Sequence, residues 1–204
     1  MRLIALDLST ARTGVAIFSE SGDLVERFSI VPDDKLHPYM KIKFIVDALR
    51  PRFLEVTDCI VEGIFLNTFS SGQHGVVGFE TLARLSGAVI DAWLHVQDTI
   101  PTLFKATEAR KLVGIKGTCQ KADVQVFIAA KYKYATEEQL DTFQAMIDSE
   151  EGAYLHEDFT KSTWKKHMDN ISTYIEGETE LGEDEADAVL LGESYFVAKK
   201  QGKI

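Results

Sequence analysis

Two short apolar runs in this chain each end on an acid, and that feature restricts the possible fold more than any other. They are RLIALDLS at residues 2–9, which contains Asp7, and TDCIVE at 57–62, which closes on Glu62. Apolar runs this short do not make a helix, but they suit strands covered on both faces. After the first comes a polar turn, Ser9-Thr10-Ala11-Arg12-Thr13, and then a second apolar run from Gly14 to Phe18. Ser21-Gly22-Asp23 is a hairpin signal, and Leu24 to Val31 completes an antiparallel ribbon.

Helices follow. Ile42, Ile45, Val46 and Leu49 recur at helical spacing, with Pro51 behind them as a stop signal. A Gly- and Ser-rich loop at 67–78 leads into a helix through about Val96, whose stripe is Phe79, Leu82, Leu85, Val89 and Trp93. Thr102 to Phe104 reads as a last strand, and 105–113 and 118–133 as two helices separated by Gly114 and Gly117. Thr136-Glu137-Glu138-Gln139 fits a capping box and opens an acidic helical segment, 134–182, read as an insertion before the last helix. The chain closes with EDEADAVLLGESYFVAKK, in which Ala186, Val189, Leu190 and Tyr195 form an apolar side. A hairpin ribbon followed by helix–strand units predicts an α/β domain with a mixed sheet, although periodicity does not order its strands. Ligand sites in such sheets commonly lie beyond the carboxyl ends of strands, where Asp7 and Glu62 are expected as neighbours.

Composition narrows the classes further. At 204 residues and 45% hydrophobic, the chain is expected to be a single compact domain carrying the insertion. No window reaches the roughly 18 apolar residues of a membrane span, and the amino end lacks a cleavage-site pattern. Cys59 and Cys119 have no C-x-x-C spacing, so a reducing cytoplasm is the expected setting. A net charge of −10 argues at first against a nucleic-acid partner, because phosphate binding depends on Lys and Arg. The deficit is local, however: residues 102–135 carry 7 basic and 2 acidic side chains, whereas 136–187 carry 3 and 16.

The final helix supplies more acids. Asp184 and Asp187 stand three apart and so share a face, which with Asp7 and Glu62 makes four carboxylates that can converge. Unpaired carboxylates at close range repel, so such a cluster needs cations or protons. Oxygen-only donors favour Mg²⁺ or Mn²⁺ over zinc. The bland alternative is that acids in the first turn simply favour the helix macrodipole. Elsewhere the signals are weaker. Ser71-Gly72-Gln73-His74-Gly75 lacks the lysine of a phosphate-binding loop and reads as a flexible loop, and the histidines show no H-x-x-x-H pairing.

At this point the chain resembles the RuvC-like Holliday junction resolvases, a branch of the RNase H-like nuclease superfamily. The stretches that carry the resemblance are LIALDLSTARTGVAIF (3–18), CIVEGIFLN (59–67), TEARKLVGIKGTCQKADVQ (107–125) and DEADAVLLG (184–192). It covers most of the chain outside about 134–182. It implies an RNase H-like mixed five-stranded sheet flanked by helices, with the acidic helical insertion before the last helix. It also implies that Asp7, Glu62, Asp184 and Asp187 bind two Mg²⁺ ions per active site, Mn²⁺ being able to substitute. Lys121 matches a lysine beside the scissile phosphate, Phe65 matches an aromatic near the strand exchange, and Arg110, Lys111 and Lys116 are expected phosphate contacts.

The resemblance implies a magnesium-dependent endonuclease that nicks four-way junctions and other branched DNA symmetrically, leaving a 5′-phosphate and a 3′-hydroxyl. It implies a homodimer through the 79–96 helix, in a bacterial or phage-infected cell, with no membrane partner. The chain departs from the family in having Leu8-Ser9 where Pro-Gly is common, and in a longer, glycine-rich loop after Glu62. Two other readings stay open at this stage: an ATP-binding phosphotransferase of the actin and hexokinase superfamily, and a noncatalytic junction-binding protein.

Overall fold

The computed structural model describes residues 2–64, 73–119, 121–132 and 181–204. Phe65 and nearly all of the acidic 134–182 segment lie outside the described residues. Strands β1 (Leu3–Asp7), β2 (Thr13–Phe18), β3 (Leu24–Ile30), β4 (Asp58–Glu62) and β5 (Thr102–Phe104) form one five-stranded sheet in the order β3-β2-β1-β4-β5. β2 runs antiparallel to β1 and β3, while β4 pairs in parallel with β1 and with β5. This is the mixed sheet expected above. Helices α1 (Pro38–Phe53) and α2 (Gln73–Gln97) connect the strands, and α3 (Ala106–Leu112), α4 (Lys121–Lys131) and α5 (Glu183–Lys200) follow.

Strand alternation divides the interior into two cores. Ile4, Leu6, Val15, Ile17, Cys59 and Val61 face α1 and α2, where Ile45, Leu49, Phe53, Leu85, Val89 and Trp93 are buried. Leu3, Ala5, Ala16, Phe18 and Ile60 face the other way, against α3, α4 and α5. Because both faces are covered, all five residues of β1 and all six of β2 are buried, which explains their continuous apolar sequence. β3 lies at the sheet edge and is correspondingly half-exposed. The hairpin between β2 and β3 turns through Gly22 at φ +90°, with the Asp23 amide donating to Ser19 Oγ at 3.1 Å.

Three helix boundaries differ from the sequence expectation. Pro51 does not stop α1, which continues to Phe53; a proline in the last turn forfeits one hydrogen bond, and burial of the Phe53 ring edge-on against Trp93 at 5.3 Å outweighs it. α2 begins at Gln73, inside the stretch read as loop, because isolated glycines weaken a helix without forbidding it when one face is buried. The helix read from 118 begins at Lys121. α5 is also covered on almost every side, from Ala186 through Leu191 and on to Tyr195 and Ala198, since it lies between the sheet and the α3 and α4 helices. No helix among the described residues is long and apolar enough to cross a membrane.

Candidate active site

Side-chain alternation places the two strand-ending acids. Asp7 has the parity of Leu3 and Ala5, and Glu62 that of Ile60, so both emerge on the face covered by α3, α4 and α5. Asp7 is 7% exposed, and its carboxyl shares a hydrogen bond with Glu62. The turn after Asp7 is built by Ser9 and Thr13: Thr13 Oγ1 donates to the Ser9 carbonyl at 2.8 Å, and Ser9 Oγ accepts from the Ala11 amide at 3.2 Å. Leu8-Ser9 therefore closes the turn with a side-chain hydroxyl.

α5 brings the other acids. Gly182 is its N-cap, and acids fill its first turn, where they complement the helix dipole. Asp184 of that turn and Asp187, three residues on, face the site. Glu185 turns toward the β3 edge, where it accepts from Arg27 Nη1 and from Ser29 Oγ at 3.0 Å. The ion pair with Arg27 clamps the helix start to the sheet. Asp184 and Asp187 meet Lys121, the first residue of α4, whose Nζ lies 3.1 Å from Asp184 Oδ1, 3.2 Å from Asp187 Oδ2 and 3.7 Å from Asp7 Oδ2. One ammonium thus joins acids from β1 and from α5.

Arg110 lies beneath this cluster. Its side chain is 12% exposed, with Nη2 3.7 Å from Asp187 Oδ1 and Nη1 donating to the Cys119 carbonyl at 2.8 Å. Its Nε is buried without a hydrogen-bond partner. Arg110 therefore braces both Asp187 and the turn that precedes Lys121. Lys111, at the end of α3, and Lys116, in the turn, are by contrast exposed. Sequence reasoning singled out neither Arg12 nor Gly14. Arg12, half-exposed in the β1–β2 turn, has its Nε 4.0 Å from Asp184 Oδ2. Gly14 pairs with Asp7 across the sheet, and a Cβ there would stand 1.8 Å from the Asp184 carbonyl oxygen, so the glycine is what lets α5 come so close. The T-G step opening an apolar strand was the available signal, and it reads equally well as turn chemistry.

The electrostatics follow from burial. Desolvation, then the neighbouring Glu62 and Asp187, hold the Asp7 carboxyl well above the ordinary aspartate range, with Lys121 opposing. Asp187 is also raised, by burial first, although Lys121 and Arg110 pull it back. Burial by itself would lower the Lys121 pKa, but Asp7, Asp187 and Asp184 outweigh it and hold the ammonium charged. Among the described residues, no three His, Cys, Asp or Glu side chains stand in a ready-made metal-ligating arrangement; Lys121 stands among the acids. Asp7, Glu62, Asp184 and Asp187 present oxygen donors only, and a donor set of that kind fits a hard divalent cation.

No family model and no curated protein matches the chain. Solved structures do. Thermus thermophilus RuvC superposes with a TM-score of 0.56 at 12% identity, over 99% of this chain and 97% of that one. T. thermophilus RuvC in complex with a Holliday junction substrate superposes with a TM-score of 0.53, also at 12% identity, over 99% and 96%. The fold is RNase H-like, with the mixed sheet and flanking helices of RuvC.

Proposed function

We propose that this chain is a metal-dependent endonuclease that cuts four-way junctions, and other branched DNA, by hydrolysing a phosphodiester to a 5′-phosphate and a 3′-hydroxyl. The observation that carries this reading is the meeting of acids from β1 and α5 around Lys121, with Glu62 of β4 against Asp7, at the carboxyl edge of the sheet. The likeness to a RuvC seen with a Holliday junction supports the choice of substrate.

Asp7, Glu62, Asp184 and Asp187 would hold two Mg²⁺ ions, or Mn²⁺ in their place, and such ions stabilise the attacking and leaving oxygens of an in-line displacement. Glu62 is less buried than Asp7 and serves as the base for the attacking water. Lys121 is 47% exposed, which leaves its ammonium able to swing from the acids to the phosphate and offset charge there. Lys111 and Lys116 meet flanking phosphates, and Arg110 keeps Asp187 aimed. Phe65, three residues beyond Glu62, stacks on bases at the strand exchange. Symmetric nicking calls for two sites, which a homodimer through the 79–96 helix, where Leu94 is exposed, provides.

The test incubates purified protein with a labelled four-way junction and with a linear duplex of matched sequence, in Mg²⁺, in Mn²⁺ and in EDTA, with Asp7→Asn as control. Paired symmetric nicks in the junction alone, lost in EDTA and in the variant, are the expected outcome. Equal cutting of the duplex would make the protein a general nuclease. A folded dimer that binds junctions but nicks nothing in either metal would overturn catalysis.

A further inference from the structure

A groove of about 520 Å³ opens at the same end of the sheet as the acid cluster, but over the other face. It begins at Leu8, Ser9 and Thr10, the turn that immediately follows Asp7, and runs between the first turns of α1 and the stretch of α2 from Val77 to Leu82. Its volume is that of a small-ligand site. Lys41 is the only cation among the described residues that line it.

The state of Lys41 is unusual for a surface lysine. Its side chain is only 16% exposed, yet its partner is Asp34, 3.5 Å away, whose carboxylate is 93% exposed. Most of the lysine side chain is covered by protein, while the carboxylate keeps its hydration. Ion pairs with so exposed a partner contribute little, so an incoming anion displaces Asp34 at small cost. The remaining lining suits a phosphate attached to a nucleoside. Ser9 Oγ accepts from the amides of Ala11 and Arg12, which leaves its own proton to donate. Leu8 and Val77 offer apolar walls to a sugar or base.

We infer that this groove is a second DNA subsite, which takes a nucleotide of the bound strand and holds its phosphate on Lys41. The inference rests on the nuclease reading above. Because Ser9 stands in the turn that directly follows Asp7, a strand that presents a phosphate to the acid cluster would continue over the β1–β2 turn into the groove. Lys41 would then fix the register of the strand relative to the cut.

Junction binding measured in EDTA, across a salt series, tests this with wild type, Lys41→Gln, Lys41→Arg and Asp34→Asn, each checked for folding by thermal melting. Lys41→Gln should weaken binding by about 3- to 10-fold at low salt and flatten the log–log salt dependence by about 0.9. Lys41→Arg should restore most of the affinity, and Asp34→Asn should tighten it. Folded Lys41→Gln with wild-type affinity and salt slope would overturn the subsite and leave the nuclease reading standing. A free mononucleotide that raises the melting temperature of wild type but not of Lys41→Gln, with junction binding unchanged, would make the groove a free-nucleotide site and overturn the strand assignment. Wild type without DNA affinity would bring down both readings, and that result appears before any variant is compared.

Discussion

Replacing Gly14 by alanine tests the closest approach in the candidate site. The new methyl would stand 1.8 Å from the Asp184 carbonyl oxygen and 3.0 Å from the Glu185 nitrogen. Ordinary carbon–oxygen contact lies near 3.3 Å, so the start of α5 must withdraw from β2 by about 1.5 Å. Backbone stands on both sides of the contact, and no rotamer change relieves it. Overpacking of this kind costs about 1 to 3 kcal/mol. For a chain of this size that lowers the melting temperature by roughly 3 to 10 °C. The larger effect falls on the site, because Asp184 and Asp187 ride on α5 while Asp7 stays on β1. Misplacement by about 1 Å costs on the order of 100-fold in rate. Urea denaturation and single-turnover cleavage of a four-way junction measure the two effects. A Gly14→Ala protein with wild-type midpoint and wild-type rate would refute the packing of α5 on β2 described above.

Other expectations follow from the same geometry. Asp7→Asn should abolish cleavage while retaining or improving junction binding, read by gel shift in EDTA. The same variant should alter the stability profile of metal-free protein. A folded-state pKa raised above the ordinary 3.8 gives stability that is complete below that value and lost as pH rises through the raised one, so wild type should weaken relative to Asp7→Asn from about pH 4 upward in urea titrations. Arg110→Met strips Asp187 of one buried partner and should cost about 3 kcal/mol, the low end of the range because Lys121 still faces Asp187. Gly192→Ala would put a methyl 2.1 Å from the buried Phe18 ring and should destabilise strongly. Phe18→Leu in the same chain should recover part of that loss, with a coupling of at least about 1 kcal/mol in a double-mutant cycle.

Much of the fold was legible because it depends on local pattern. β1, β2 and β4 are continuous apolar runs, and their burial on both faces is what such runs mean. Alternation likewise puts Asp7 and Glu62 on one face once both strands exist. The helix boundaries were less legible. Pro51 and the glycines near the start of α2 are local stop signals, and buried Phe53 and the packed α2 face override them. The acid-rich start of α5 shows the same limit. Glu183, Asp184, Glu185 and Asp187 are alike as residues, and it is Arg27 and Ser29 of the edge strand that draw Glu185 away from the site.

By itself, then, the sequence determined the strands, the helices and the acids that end or begin them, since periodicity and propensity act over a few residues. Only the tertiary structure decided the strand order β3-β2-β1-β4-β5, which sets β1 beside β4 and so Asp7 beside Glu62. The tertiary structure also decided that Arg110 turns inward to Asp187 while Lys111 stays in water, although the two are adjacent in one basic run. The physical reason is that burial and ion pairing across 77 residues of chain are settled by which surfaces meet, and no local pattern records that.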